Sequence, residues 1–317
     1  MKKFFSQGVI VLAVFGVASV SYADENLNKV TAPTLQTNKK TMTMVYVGNS
    51  TTPAKVTLDT GSSMLVLEKQ YLSNARADLS GKTVSMGYGN GAMMVHGQIV
   101  YTDVTLNTTP KITAVNVPVL MVPDGTFSDR AGIMGVEMNN QTSVWRHLPA
   151  PYNEMMVVNG PDSTVSFGEL SRDEVNQFAV YQLNEGRCNN TVQPEAAYAG
   201  IACWATRKIP VTYTFKSADG EVVFDAQYNT VFDTGGVLTH FYLQPVPDAV
   251  AELTQGQTFN GKLGMRLESN NAGVINLPAT DNIKVFVSKR NEVNSGYRIF
   301  YEKTVLFDAR DGVVGFK

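Results

Sequence analysis

The chain of 317 residues carries 26 lysines and arginines against 28 aspartates and glutamates, a net charge of -2. With no run of Lys or Arg, that balance excludes a nucleic-acid binder, whose affinity comes largely from neutralising phosphates. A 44% hydrophobic content over this length can fill two ordinary cores, which excludes a disordered chain, and 26 glycines among many Thr, Val and Tyr point to an all-β protein.

The first 23 residues read as a secretory signal peptide. Lys2 and Lys3 precede an apolar run from Val9 to Val20, and Ser21-Tyr22-Ala23 offers a small-residue cleavage site after Ala23. An uncleaved anchor is the competing reading, but the run is shorter than the roughly 20 residues a membrane span needs. No later stretch is apolar enough to insert, so the exported chain is expected to be periplasmic or secreted.

Alternating strands follow. Met42, Met44 and Tyr46 alternate, then Val100, Thr102, Val104 and Leu106, then Val211, Tyr213 and Phe215. Val285 with Val287 and Val305 with Phe307 continue the period of two, a sandwich or barrel signature. Helices are expected only at 68–77, 171–178 and 248–253, the last two opening on Ser171 and Asp248 as caps. The two cysteines, Cys188 and Cys203, are expected to form one disulfide if the chain is exported; two free buried thiols are the alternative.

The chain also repeats itself. Val56-Thr57-Leu58-Asp59-Thr60-Gly61-Ser62 returns as Thr230-Val231-Phe232-Asp233-Thr234-Gly235-Gly236, each an apolar run ending in Asp-Thr-Gly. Each copy is followed by a glycine beside apolar residues, read here as Gly132 and Gly296, and a repeat this long means two similar lobes, 24–168 and 169–317. One Asp-Thr-Gly is an ordinary turn. A given tripeptide is expected by chance about 0.05 times in a chain of this size, so two copies behind two β-runs carry more weight.

The chemistry that needs this arrangement is a carboxylate pair. Two facing lobes can bring Asp59 and Asp233 close enough to share a proton, one ionised to take a proton from water, the other protonated to polarise a carbonyl. Gly61 and Gly235 allow close approach of backbone, and Thr60 and Thr234 can bond across to the opposite loop.

The sequence 52–63, TPAKVTLDTGSS with one Thr before it at 51, resembles the first catalytic strand and loop of the pepsin-like aspartic proteases, a resemblance covering most of the mature chain. Tyr88-Gly89-Asn90-Gly91 is similar to that family's flap, Ala131-Gly132-Ile133-Met134-Gly135 to the segment behind its first catalytic loop, and 304–316 to its closing hairpin. The resemblance implies a bilobal β-fold with the active-site cleft between lobes, an Asp59/Asp233 dyad, Tyr88 as flap tyrosine, extended peptide or unfolded-protein substrates, and neither metal nor cofactor. Three departures stand out. Val66 replaces the family's usual Trp partner of the flap tyrosine; Gly236 replaces a Ser or Thr, while Ser62 keeps the hydroxyl in the first copy; and too few residues precede the first strand for an inhibitory prosegment, as in the prosegment-less bacterial members. A missing donor beside Asp233 is expected to let the dyad hold its proton to higher pH.

Nothing else in the sequence competes as chemistry. His96, His147 and His240 stand singly and read as structural or surface residues; there is no zinc-ligand spacing, no Gly-x-Ser-x-Gly elbow and no phosphate loop. Met93 and Met94 after the flap-like turn read equally as substrate contacts or packing. The expectation is a monomeric exported aspartic endopeptidase. A silent peptide- or protein-binding protein of the same fold and a structural envelope protein are the alternatives; the two intact Asp-Thr-Gly copies and the flap-like segment favour the endopeptidase.

Overall fold

The computed structural model describes residues 28–72, 76–77, 83–89, 91–139, 141–187, 202–257, 259–279 and 282–317. The signal-peptide reading, Asn90 and Cys188 lie outside the described residues. No helix among the described residues is long and apolar enough to cross a membrane.

Three sheets hold almost all of the regular structure, so the chain is all-β and bilobal. The first lobe is built on a nine-stranded sheet that includes Lys40–Val47, Ala54–Asp59, Leu65–Glu68, Thr83–Tyr88, Met93–Leu106, Thr113–Val122 and Gly132–Gly135. The second is a seven-stranded sheet running from Gly273–Leu277 through Ile209–Ser217 and Val222–Val231 to Ile283–Val287. A six-stranded sheet joins them. It takes Lys29–Pro33, Met155–Asn159 and Thr164–Gly168 from the first half and Ala179–Gln182, Thr304–Asp308 and Val313–Phe316 from the second.

The two lobes repeat one pairing scheme. Ala54–Asp59 runs parallel to Gly132–Gly135, which is antiparallel to Leu65–Glu68, which is parallel to Thr113–Val122. Val222–Val231 runs parallel to Glu292–Asn294, which is antiparallel to Thr239–Leu243, which is parallel to Ile283–Val287. In each lobe a strand is threaded between two others. Gly132–Gly135 is buried throughout and its residues are apolar or small, whereas in Glu292–Asn294 only Val293 is fully buried and Glu292 and Asn294 are half-buried at the cleft.

Register corrects one sequence inference. Gly135 faces Asp59, whereas Gly132 faces Val56. In the second lobe Thr230 faces Val293 and Val231 faces Asn294, so continuing two residues brings Gly296 beside Asp233. The counterpart of Gly296 is therefore Gly135, and that of Gly132 is Val293. Sequence spacing missed this because the connections between the paired strands differ in length.

The alternation of Val211, Tyr213 and Phe215 is inward, all three fully buried, and Phe215 and Tyr213 both pack on Phe241 with ring centroids 5.3 and 5.0 Å apart. In Lys40–Val47 the deeper face is instead Val45 and Val47, with Met44 and Tyr46 half-buried. Helix expectations fare unevenly. Ser171 caps a one-turn helix, Arg172–Val175, by a reciprocal capping box with Glu174. Residues 248–255 form a 3₁₀ helix entered from Pro247, so Asp248 does not cap it. No helix starts at Glu68. Leu65–Glu68 is a strand followed by a 3₁₀ turn, Lys69–Tyr71, because the Glu68 carboxylate is buried to accept the Phe127 N–H (2.8 Å), a tertiary contact local propensity does not contain.

Candidate active site

Asp59 ends its strand and Asp233 lies just beyond Val231, and the two loops that follow meet along the approximate two-fold axis. Each carboxylate is held by its own loop: Gly61 N–H donates to Asp59 Oδ1 at 2.9 Å and Gly235 N–H to Asp233 Oδ1 at 2.7 Å. Each glycine also faces the opposite acid. A Cβ on Gly61 would lie 2.6 Å from Asp233 Cγ, and one on Gly235 would lie 2.6 Å from Asp59 Cγ. Only glycine lets both carboxylates approach.

Beneath them the threonines are crossed. Thr60 N–H donates to Thr234 Oγ1 and Thr234 N–H to Thr60 Oγ1, both at 3.0 Å. Thr60 Oγ1 in turn donates to Phe232 O (2.8 Å) and Thr234 Oγ1 to Leu58 O (2.5 Å). Each buried hydroxyl thus satisfies a donor and an acceptor of the other lobe, which fixes the separation of the loops that carry the acids.

The outer oxygens are treated differently. Ser62 Oγ donates to Asp59 Oδ2 at 2.7 Å. Gly236 has no hydroxyl to mirror it, but the vacancy expected from the sequence is filled: Asn294 Nδ2 donates to Asp233 Oδ2 at 2.5 Å. The premise for a proton held to unusually high pH therefore fails, because Asp233 has its donor from a strand remote in sequence. Burial, together with the charge of Asp233, pushes the Asp59 carboxyl well above the usual carboxylate range.

A cleft of about 330 Å³ opens over the pair. One wall is the hairpin of Thr83–Tyr88 and Met93–Leu106, in which Tyr88 faces Met93 across the turn at Gly89 and Gly91. Tyr88 packs on the apolar cluster that contains Val66, Leu120 and Ile133. Its hydroxyl is buried with no hydrogen-bond partner among the described residues, and Val66 offers none; burial first, then the Asp59 charge, keeps it protonated. Met93 lines the cleft, whereas Met94 is half-exposed outside it.

The sequence did not single out the charged lining. Arg207 donates to Gly61 O (3.0 Å) beneath the first loop and pairs with Glu137 (3.2 Å) and Glu292 (3.7 Å). Burial pushes the Glu137 carboxyl up to about 7, with Arg207 opposing. Arg290 pairs with Glu292 (3.4 Å) and lies over the Tyr242 ring, while Arg130 and Lys40 share Asp129. His240, expected to be structural or at the surface, lines the cleft, 5.5 Å from the Phe286 ring; burial lowers its proton affinity while Asp233 raises it. His147 is buried and bonds to two carbonyl oxygens, and His96 to Ser85 on the hairpin. The contacts that bring Arg207 to Gly61, Glu137 and Glu292, and His240 to the Phe286 ring, join residues far apart in sequence, so no local pattern announced them. Among the described residues no cluster of His, Cys, Asp and Glu could hold a metal ion.

Solved structures share this fold along nearly the whole chain. An aspartic proteinase from Irpex lacteus matches with a TM-score of 0.60 at 15% identity, covering 91% of this chain and 96% of its own. The fold is pepsin-like. Basic 7S globulin from soybean also shares it, with a TM-score of 0.61 at 14% identity and coverage of 92% and 95%. No protein-family model and no curated protein matches the sequence. Within the pepsin-like fold, the cleft between lobes is where the two Asp-Thr-Gly loops, the hairpin bearing Tyr88 and the Arg207 ion pairs converge.

Proposed function

We propose that the chain is an exported aspartic endopeptidase, acting on extended peptides or unfolded proteins as a monomer. The observation that carries this reading is the mirrored dyad: two carboxylates, each bonded by the glycine N–H of its own loop and abutted by the glycine of the other, at the floor of one cleft. Held this close, they cannot both ionise readily, so they share a proton over a mildly acid range. The ionised partner takes a proton from a water molecule as it attacks the peptide carbonyl, and the protonated partner donates to the carbonyl oxygen. Tyr88 closes the cleft from above, and Thr60 and Thr234 keep the acids in register.

The test is digestion of a denatured protein by the purified mature chain across a pH series, with a statine-type inhibitor as control. Asp59→Asn and Asp233→Asn are each expected to abolish cleavage while leaving the fold intact. Appreciable cleavage by either, in a preparation free of wild type, refutes the dyad. A second reading is favoured by the soybean match, which bears the name of a globulin and not of a proteinase. On that reading the cleft holds peptide without cutting it, and the wild type would bind peptide yet release no product at any pH.

A further inference from the structure

The internal repeat makes an unassigned substitution visible. Thr57 and Val231 occupy the same place in the two copies; Thr57 faces Ile133, and Val231 faces Asn294. The first lobe therefore has a hydroxyl at Ser62 and an apolar side chain at Ile133, whereas the second has no side chain at Gly236 and an amide at Asn294. The two differences belong together. A Cβ on Gly236 would lie 2.6 Å from Asn294 Oδ1, so a side chain at 236 and this amide exclude one another.

We propose that Asn294 is a positioning residue of the dyad, whose amide fixes Asp233 as the ionised partner and leaves the shared proton on Asp59. This rests on the endopeptidase reading above. Asn294 Oδ1 accepts the Gly296 N–H at 3.0 Å, which turns its nitrogen toward Asp233 Oδ2. That nitrogen can only donate, as can Gly235 N–H on Oδ1. Both oxygens of Asp233 thus face groups that require an acceptor. Ser62 Oγ, by contrast, can donate to or accept from Asp59 Oδ2, so Asp59 tolerates a proton there. The raised proton affinity of Asp59 agrees with this assignment. Other groups facing the pair are Tyr88 on the hairpin, Glu137 and Arg207 beneath the loops, and His240 and Tyr242 on the strand Thr239–Leu243; none of them hydrogen-bonds Asp233.

The assignment has a sign. Losing the amide destabilises ionised Asp233, so the doubly protonated dyad persists to higher pH and the acid limb of kcat/KM moves up. The alkaline limb moves less, because Asp233 is ionised on both sides of that step. Asn294→Ala is expected to raise the acid limb by about 1 pH unit, a tenfold change in that protonation equilibrium. Gly236→Ser in the same chain should reverse that shift only in part, because a hydroxyl can donate to ionised Asp233 but also accept from the protonated acid, as Ser62 can beside Asp59; its Cβ would lie 3.3 Å from Asp233 Oδ2 and 3.2 Å from Gly296 Cα. An unshifted acid limb in a folded Asn294→Ala variant overturns the proposal, as does a folded double variant that keeps the whole shift. Should the single variant not fold, the double variant decides alone: an acid limb above that of the wild type is expected, and a wild-type limb overturns the proposal. Should the wild type cleave nothing, the endopeptidase reading falls, and titration of ¹³C-labelled aspartate carboxyls by NMR decides this inference by the same shift or its absence.

Discussion

Replacing Glu137 by Gln removes a pH dependence of stability whose size follows from the site. Glu137 is 3% exposed, and burial raises its carboxyl from 4.5 to about 7 despite the Arg207 guanidinium 3.2 Å away. Between those values the folded state binds a proton that the unfolded chain has released. Stability from this group is therefore fully present below about pH 4.5, falls as pH rises, and is lost above about pH 7. At about 1.4 kcal/mol per pH unit, the whole window is worth about 3.5 kcal/mol, of which about 3 kcal/mol falls between about pH 4 and about pH 7.5. The raised carboxyl of Asp59 gives the wild type a further slope of the same sign, which the comparison between wild type and variant cancels. Urea unfolding of both proteins at about pH 4 and about pH 7.5 measures the effect: the stability of Glu137→Gln relative to wild type should rise by about 3 kcal/mol between the two. A relative stability that stays constant within about 0.5 kcal/mol would show that Glu137 titrates normally, and would refute its burial beneath the Asp59 loop as the cause of a raised proton affinity.

Thr234→Val strands Leu58 O and Thr60 N–H in a buried site, so urea unfolding should show a loss of about 2–5 kcal/mol, with cleavage falling alongside; a loss below about 1 kcal/mol would refute the crossed-threonine bonding. Tyr88→Phe deletes a hydroxyl that has no partner, and should leave stability unchanged or raise it by about 1 kcal/mol; a clear loss of stability would reveal a bond. Cys188 and Cys203 should form one disulfide, closing a loop of about 15 residues and contributing roughly 3 kcal/mol; two alkylatable thiols by mass spectrometry under denaturing, non-reducing conditions would rule it out.

The sequence by itself determined what is periodic or repeated. Val211, Tyr213 and Phe215 alternate because one face of their strand fills a core, and that need is written into every second residue. The two Asp-Thr-Gly copies announced two lobes and one acid from each, because a symmetric pair requires the same loop twice. What the tertiary structure decided lies wherever a residue's role depends on a partner from another strand. Glu68 gave no local sign that it would end a strand to bond Phe127, and Gly132 was matched to Gly296 because spacing along the chain does not report register. Strands from both halves of the chain meet in the six-stranded sheet, an arrangement that the repeat does not contain. Gly236 looked like a missing donor because a deletion is visible in sequence and its replacement is not. Asn294 reaches Asp233 only once Glu292–Asn294 is threaded beside Val222–Val231, and a hydrogen bond made across that pairing leaves no pattern in the chain.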